Sequence, residues 1–202
     1  MKLYYAPGAC SMAVHIVLRE LGYRFDLERV DLGAGRTAGG ADYSTVNPKG
    51  YVPALVLDDG HVLTEVGAVL QYLADPKPEL GLAVASRDLA HYRLLEWLSF
   101  ISSEVHKTLG ALFNPNLPPE CREVSLALFG RRCDWLAGTL GGGPFLMGER
   151  YTIADAYLFT VLNWTSVLAV DLGRWPALTA YLARIAARPA VQQTLKAEGL
   201  AA

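Results

Sequence analysis

The sequence predicts an α/β layer built around a small sheet, followed by an all-helical bundle domain. Three observations carry this. Short extended runs alternate with helical ones up to about residue 75; Pro76, Pro78 and Gly81 then punctuate the chain; and from Ser86 onward the pattern is helical, with almost no β-branched alternation. The division this predicts is a first domain over residues 1–80, a linker over 81–86 and a second domain over 87–202. A chain of 202 residues is long enough for either one large core or two small ones, so the pattern and not the length sets the count.

Residues 3–6 read as a strand, which Pro7 and Gly8 break. A helix follows in which Cys10, Val14, Val17 and Leu21 share one face, and Gly22 stops it. A second extended run covers residues 25–30. The Gly-rich stretch 33–40 is too irregular to cradle a phosphate and is read as a connection. Residues 54–57 and 61–63 flank Asp58-Asp59-Gly60, a turn signal between two apolar runs that predicts a β-hairpin. Helix is expected from Glu65 to Ala74, with Thr64 available as its N-cap.

In the second half, Leu94, Leu98, Ile101, Val105 and Leu109 fall within about 80° of arc at helical spacing, a core-facing stripe. Glu96, Ser99, Ser103, His106 and Lys107 form a polar stripe roughly opposite, within about 100°. On an arbitrary helix such a stripe is a solvated face. Thr152-Ile153-Ala154-Asp155 before an apolar run is a capping box, and its loss is expected to cost about 0.5–2 kcal/mol. The run from 153 to 170 contains Asp155 and Asn163 and is read as a buried helix, not a membrane span.

Composition narrows the function. The 18 basic and 20 acidic residues give a net charge of −2, so no general field attracts nucleic acid or an anionic membrane. Only a short apolar stretch separates Lys2 from Pro7, too brief for a signal peptide, so a cytoplasmic protein is expected. Three cysteines cannot all pair within the chain and fit a reducing compartment. Cys121 and Cys133 have no His or Cys at metal-ligand spacing, so no metal is expected.

Cys10 stands at a helix start, where unpaired N–H groups and the dipole favour a thiolate; it also fits as a small apolar residue beside Val14 and Val17, and position alone leaves both readings open. Position 13 is Ala13, which excludes a Cys-x-x-Cys dithiol. Pro53 lacks a ladder donor, leaving a neighbouring backbone edge free for an extended ligand. Glu65 is either an ordinary first-turn acid or part of a ligand site, and the N–H of Val66 suits a carboxylate.

Taken together, Leu3-Tyr4-Tyr5-Ala6-Pro7-Gly8-Ala9-Cys10-Ser11, Asn47-Pro48-Lys49-Gly50-Tyr51-Val52-Pro53-Ala54-Leu55, Leu63-Thr64-Glu65, Gln71-Tyr72-Leu73-Ala74-Asp75, Glu104-Val105-His106-Lys107 and Thr152-Ile153-Ala154-Asp155-Ala156-Tyr157 resemble the bacterial beta class of glutathione S-transferases over essentially the whole chain. The resemblance implies a thioredoxin-like first domain that binds glutathione as co-substrate, a helical domain carrying the electrophile site, and a homodimer. It implies a cis bond before Pro53, with the Val52 backbone pairing to the cysteinyl part of glutathione. Glu65 and the Val66 N–H would hold the γ-glutamyl end, Cys10 and His106 would flank the sulfur, and Ser103 and Lys107 would serve the glycyl end or the dimer interface.

Three positions depart from the family pattern. Gly35 stands where Lys is frequent, which makes Arg36 a candidate cation; Val66 is bulkier than the usual small residue and offers no hydroxyl; and Ser99 reaches less far than the common Asn. The activity implied is conjugation of the glutathione thiolate to hydrophobic electrophiles, with glutathione-dependent disulfide exchange through Cys10 second. The alternatives are a non-catalytic carrier of glutathione and apolar compounds, or a glutathione-dependent isomerase or dehalogenase on the same fold.

Overall fold

A computed structural model describes residues 1–84 and 88–201. Its first part holds β1 (Lys2–Tyr5), α1 (Ser11–Glu20), β2 (Asp26–Asp31), β3 (Arg36–Thr37), β4 (Ala54–Val56), β5 (Val62–Thr64) and α2 (Val66–Ala74). The strands form one mixed sheet in the order β3-β2-β1-β4-β5, with β1 and β2 parallel and every other pair antiparallel. Leu3 sits opposite both Leu27 and Leu55 and is fully buried, so a single inward position on β1 fixes the register of three strands.

The expected strands and hairpin are present to within a residue or two, the turn closing through Gly60 N–H to the Leu57 carbonyl (3.0 Å). The Gly-rich connection holds one element the sequence reading missed. Arg36 and Thr37 pair with β2 as a two-residue edge strand, too short to carry an alternating pattern. Gly22 ends α1 as expected: at φ 64°, it lets its own N–H reach the Arg19 carbonyl and that of Tyr23 reach Leu18. At the start of α2 the expectation fails. Thr64 lies in β5, and Glu65 holds the cap position, at φ 67° and without a side-chain cap bond.

The second part holds α3 (Leu89–Phe100), a π-helical stretch (Ile101–His106), α4 (Lys107–Ala111), α5 (Pro119–Leu140), α6 (Ile153–Leu162), α7 (Trp164–Val167), α8 (Pro176–Ala186) and α9 (Pro189–Ala197). The expected linker runs into residues 85 and 86, and the expected start of the helical domain at 87 also lies outside the described residues. Leu94, Leu98, Ile101, Val105 and Leu109 are all buried, so the apolar stripe faces the core as the spacing predicts. The apolar run from 153 is shorter than the sequence suggests, breaking at Asn163 into α6 and α7. All ten residues of α6 are buried, and the capping box at Thr152 and Asp155 forms. Among the described residues no helix is long and apolar enough to cross a membrane.

α1 explains how the two parts are held. Residues 11 to 18 are buried all round because the helix packs on the sheet and α2 on one side and on α6 and α9 on the other. Polar ties around it hold the second part to the first and to the segment that joins them. Arg188 makes a bidentate pair with Glu20 (2.6 and 3.0 Å), and the Ile153 N–H donates to the Leu82 carbonyl (2.9 Å). Buried Glu198 faces the buried His15 ring at 2.8 Å and accepts from the Gly8 N–H at 2.9 Å.

Candidate functional site

The turn before α1 is fixed from both sides. Gly8, at φ 70°, gives its N–H to Glu198 and receives the Trp164 indole N–H on its carbonyl (2.8 Å). The second domain therefore clamps the residue two positions before Cys10. Cys10 itself occupies the cap position of α1, and its thiol donates to the Val52 carbonyl at 3.1 Å.

Val52 is presented by a loop with its own hydrogen bonds. The Tyr51 carbonyl accepts from the Tyr43 hydroxyl and the Asn47 amide, both at 2.7 Å, and the Val52–Pro53 bond that follows is cis, as the family resemblance implies. At the next wall the Lys49 ammonium lies 2.7 Å from a Glu65 carboxylate oxygen and 2.9 Å from the Thr64 hydroxyl. Val66 opens α2, so its N–H is one of the helix donors left without an intrahelical partner.

The facing wall comes from the rod formed by α3, the π-helical stretch and α4. π-Helical turns are wider than α-helical ones and often mark functional sites. Here one lies directly under Ser102, Ser103 and His106. The His106 Nδ1 is 2.7 Å from the Tyr157 hydroxyl, and the ring stands edge-on to Trp164 with centroids 4.8 Å apart.

These walls enclose a cleft of about 910 Å³ between the domains. All nine residues expected from the sequence line it: Cys10, Val52, Pro53, Glu65, Val66, Ser99, Ser103, His106 and Lys107. Glu96, from the same polar stripe, does not; it pairs with Arg93 at 2.6 Å on the surface. Arg36, the candidate cation, does not line it; its guanidinium donates to the Gly40 carbonyl at 2.9 Å. Lys49, Ser102, Tyr157 and Trp164 line the cleft without having been singled out. Lys49 and Tyr157 sit inside the quoted motifs, but nothing in their spacing marks them as facing a ligand.

The electrostatics bear on the two readings that position leaves open for Cys10: burial pushes its thiol up to about 12, against the helix-start N–H groups that favour the anion. Cys10 is a protonated donor in this structure. His106 is pushed down to about 4, first by burial and then by Lys107, with Glu65 acting the other way, so its imidazole is neutral at pH 7. Burial holds the Tyr157 hydroxyl above its usual range. Among the described residues no cluster of three or more His, Cys, Asp or Glu side chains is placed to hold a metal ion.

A thioredoxin-like sheet with a cis-proline beside a helix-start cysteine, closed by an all-helical domain, defines a two-domain thiol-handling fold. The comparisons with known proteins are specific. Residues 8–75 match the glutathione S-transferase N-terminal domain family and residues 100–189 the C-terminal domain family. Glutathione S-transferase GstA of Escherichia coli O157:H7 is 46% identical over 99% of this chain and 100% of its own length. A sphingomonad glutathione S-transferase solved with glutathione superposes at a TM-score of 0.95 with 46% identity, and a beta class enzyme of Sphingomonas chungbukensis at 0.96 with 44%, each covering 100% of both chains. The chain belongs to the glutathione S-transferase family and is similar to its bacterial beta class.

Proposed function

We propose that the protein joins the thiol of glutathione to hydrophobic electrophiles. One observation carries this most directly: a single interdomain cleft unites a thiol, a carboxylate, a helix-start N–H and a neutral imidazole with apolar side chains such as Leu32, Leu95 and Trp164. The Glu65 carboxylate already accepts an ammonium, that of Lys49, which supports its role for the γ-glutamyl end. The Val66 N–H suits the neighbouring carboxylate, and the Val52 backbone beside the cis bond suits the cysteinyl unit. Lys107 and Ser103 serve the glycyl end, with Ser99 nearby.

At the reacting centre the glutathione S–H loses its proton to solvent water, the sulfur forms a bond to carbon, and a leaving group such as halide departs with its electron pair. Free thiols are largely protonated at neutral pH, so the site must favour the anion. His106, neutral, carries a ring N–H of the kind that does so, and the Cys10 S–H becomes a second such donor once it leaves the Val52 carbonyl. The raised thiol of Cys10 supports conjugation over disulfide exchange as the main activity.

The test is steady-state kinetics with glutathione and a chloronitroaromatic acceptor. Parent protein turns over; His106→Ala lowers kcat more than it raises the glutathione KM; Cys10→Ala keeps part of its conjugating activity and loses exchange with a glutathione mixed disulfide. Glutathione binding by calorimetry without turnover of any electrophile in a panel would favour the carrier reading instead. The exposed aromatic and aliphatic side chains Tyr72, Leu89 and Tyr92 on α2 and α3 support a homodimer, which a monomeric sedimentation mass would refute. Three free cysteines support a reducing, cytoplasmic location.

A further inference from the structure

We propose that Tyr157 is a positioning residue that fixes His106 in its Nε2–H form, so that a neutral imidazole offers the substrate sulfur a hydrogen-bond donor and not a base. The inference rests on the reading above, in which His106 acts at the sulfur.

The geometry begins with a buried phenol. Tyr157 lies within α6, its ring edge-on to that of His106, and its hydroxyl is 2.7 Å from Nδ1. A buried tyrosine hydroxyl has one proton to give and must find an acceptor for it. Ser102, on the π-helical stretch, is the neighbouring cleft residue and favours the ionised form of Tyr157 against burial, while the hydroxyl's hydrogen-bond partner is Nδ1. Tyr157 donates to Nδ1, and a neutral imidazole that accepts at Nδ1 carries its hydrogen on Nε2. Trp164 packs edge-on to the ring and fixes its plane.

The opposite tautomer would leave Nε2 as a base, and the magnitudes argue against it. A thiol with a pKa near 8.5 facing an imidazolium held to about 4 disfavours transfer by a factor of roughly 10⁴ to 10⁵. The charged and titratable groups around the ring do not change the order. Lys107 on the same rod opposes a positive imidazole, Glu65 at the start of α2 favours it, and Tyr157, with Cys10 nearby, is neutral.

The decisive experiment is long-range proton–nitrogen NMR of the ¹⁵N-labelled histidine rings in the full chain at pH 7, without glutathione. His106 among the four histidines is assigned from the spectrum of His106→Gln. Parent protein should show a protonated Nε2 and an accepting Nδ1. Tyr157→Phe, which keeps the ring, should show a tautomer mixture and a kcat about tenfold lower, with the glutathione KM changed less than about twofold. Ser102→Ala, at a cleft-facing position, should move both readouts the same way by less, and it decides the matter if Tyr157→Phe fails to fold. A protonated Nδ1 in the parent, or a well-folded Tyr157→Phe with unchanged tautomer and kcat, would overturn the inference. An unchanged kcat in His106→Ala would instead overturn the role of His106 at the sulfur, while the tautomer result would still stand on its own.

Discussion

Replacing Asp155 by alanine should destabilise the protein by about 4 kcal/mol, well above what loss of a helix cap alone implies. The carboxylate is buried and accepts four hydrogen bonds: from the Thr152 N–H (2.7 Å) and hydroxyl (3.0 Å), the Leu146 N–H (2.9 Å) and the Tyr181 hydroxyl (3.0 Å). Two of these donors have a way out. The threonine hydroxyl can rotate, and the Tyr181 hydroxyl has the Asp155 carbonyl at 3.4 Å. The two backbone N–H groups have none, and each costs about 1–3 kcal/mol when buried without a partner. Asp155→Asn keeps one acceptor oxygen and should recover about half of the loss. The assay is urea unfolding at pH 7 for parent and both variants, with turnover per folded molecule measured well below each transition. A loss under about 2 kcal/mol for alanine would show that water reaches the freed donors. Unchanged stability with lost turnover would show that Asp155 belongs to the chemistry.

The neutral state of His106 predicts a pH dependence of stability. With a folded pKa of about 4 against the ordinary 6.5, the unfolded chain binds the proton first, so the parent should lose stability relative to His106→Gln as pH falls from about 6.5 to about 4, by about 3 kcal/mol for the 2.5-unit gap; paired urea titrations with a flat difference would refute this. Glu198→Ala leaves two buried donors, the His15 Nδ1–H and the Gly8 N–H, without their carboxylate and should cost about 2–4 kcal/mol. It should also speed alkylation of Cys10, read peptide by peptide in a mass spectrometer, and a rate equal to the parent's would show that the turn holds without Glu198.

Local chemistry was legible in the sequence. The hairpin at Asp58-Asp59-Gly60, the stop at Gly22 and the box at Thr152 and Asp155 each depend on residues within a few positions of one another, and each is present. The composition of the cleft was legible through motif resemblance. What stayed hidden depends on long-range packing. A two-residue strand at Arg36 exists only because β2 lies beside it. The π-helical turn has no sequence period of its own, so a 100° projection left Ser102 just outside the polar stripe. The helix start alone left the state of Cys10 open, because the burial that dominates there comes from residues distant in the chain.

That last point makes the interdomain packing part of the site's chemistry. Cys10 follows a turn whose central glycine is held by Glu198 from beyond α9 and by Trp164 from α7, and Trp164 also packs against His106. One tryptophan thus touches the turn on one wall of the cleft and the imidazole on the other. Because α1 is buried on every side between the sheet and α6, the walls cannot separate without exposing the residues that hold the core together. The distance between thiol and imidazole is therefore set by the same packing that stabilises the fold. Substitutions at Glu20, Arg188 or Glu198, outside the cleft, should change reactivity and stability together, whereas cleft-facing changes such as Ser102→Ala should move reactivity alone.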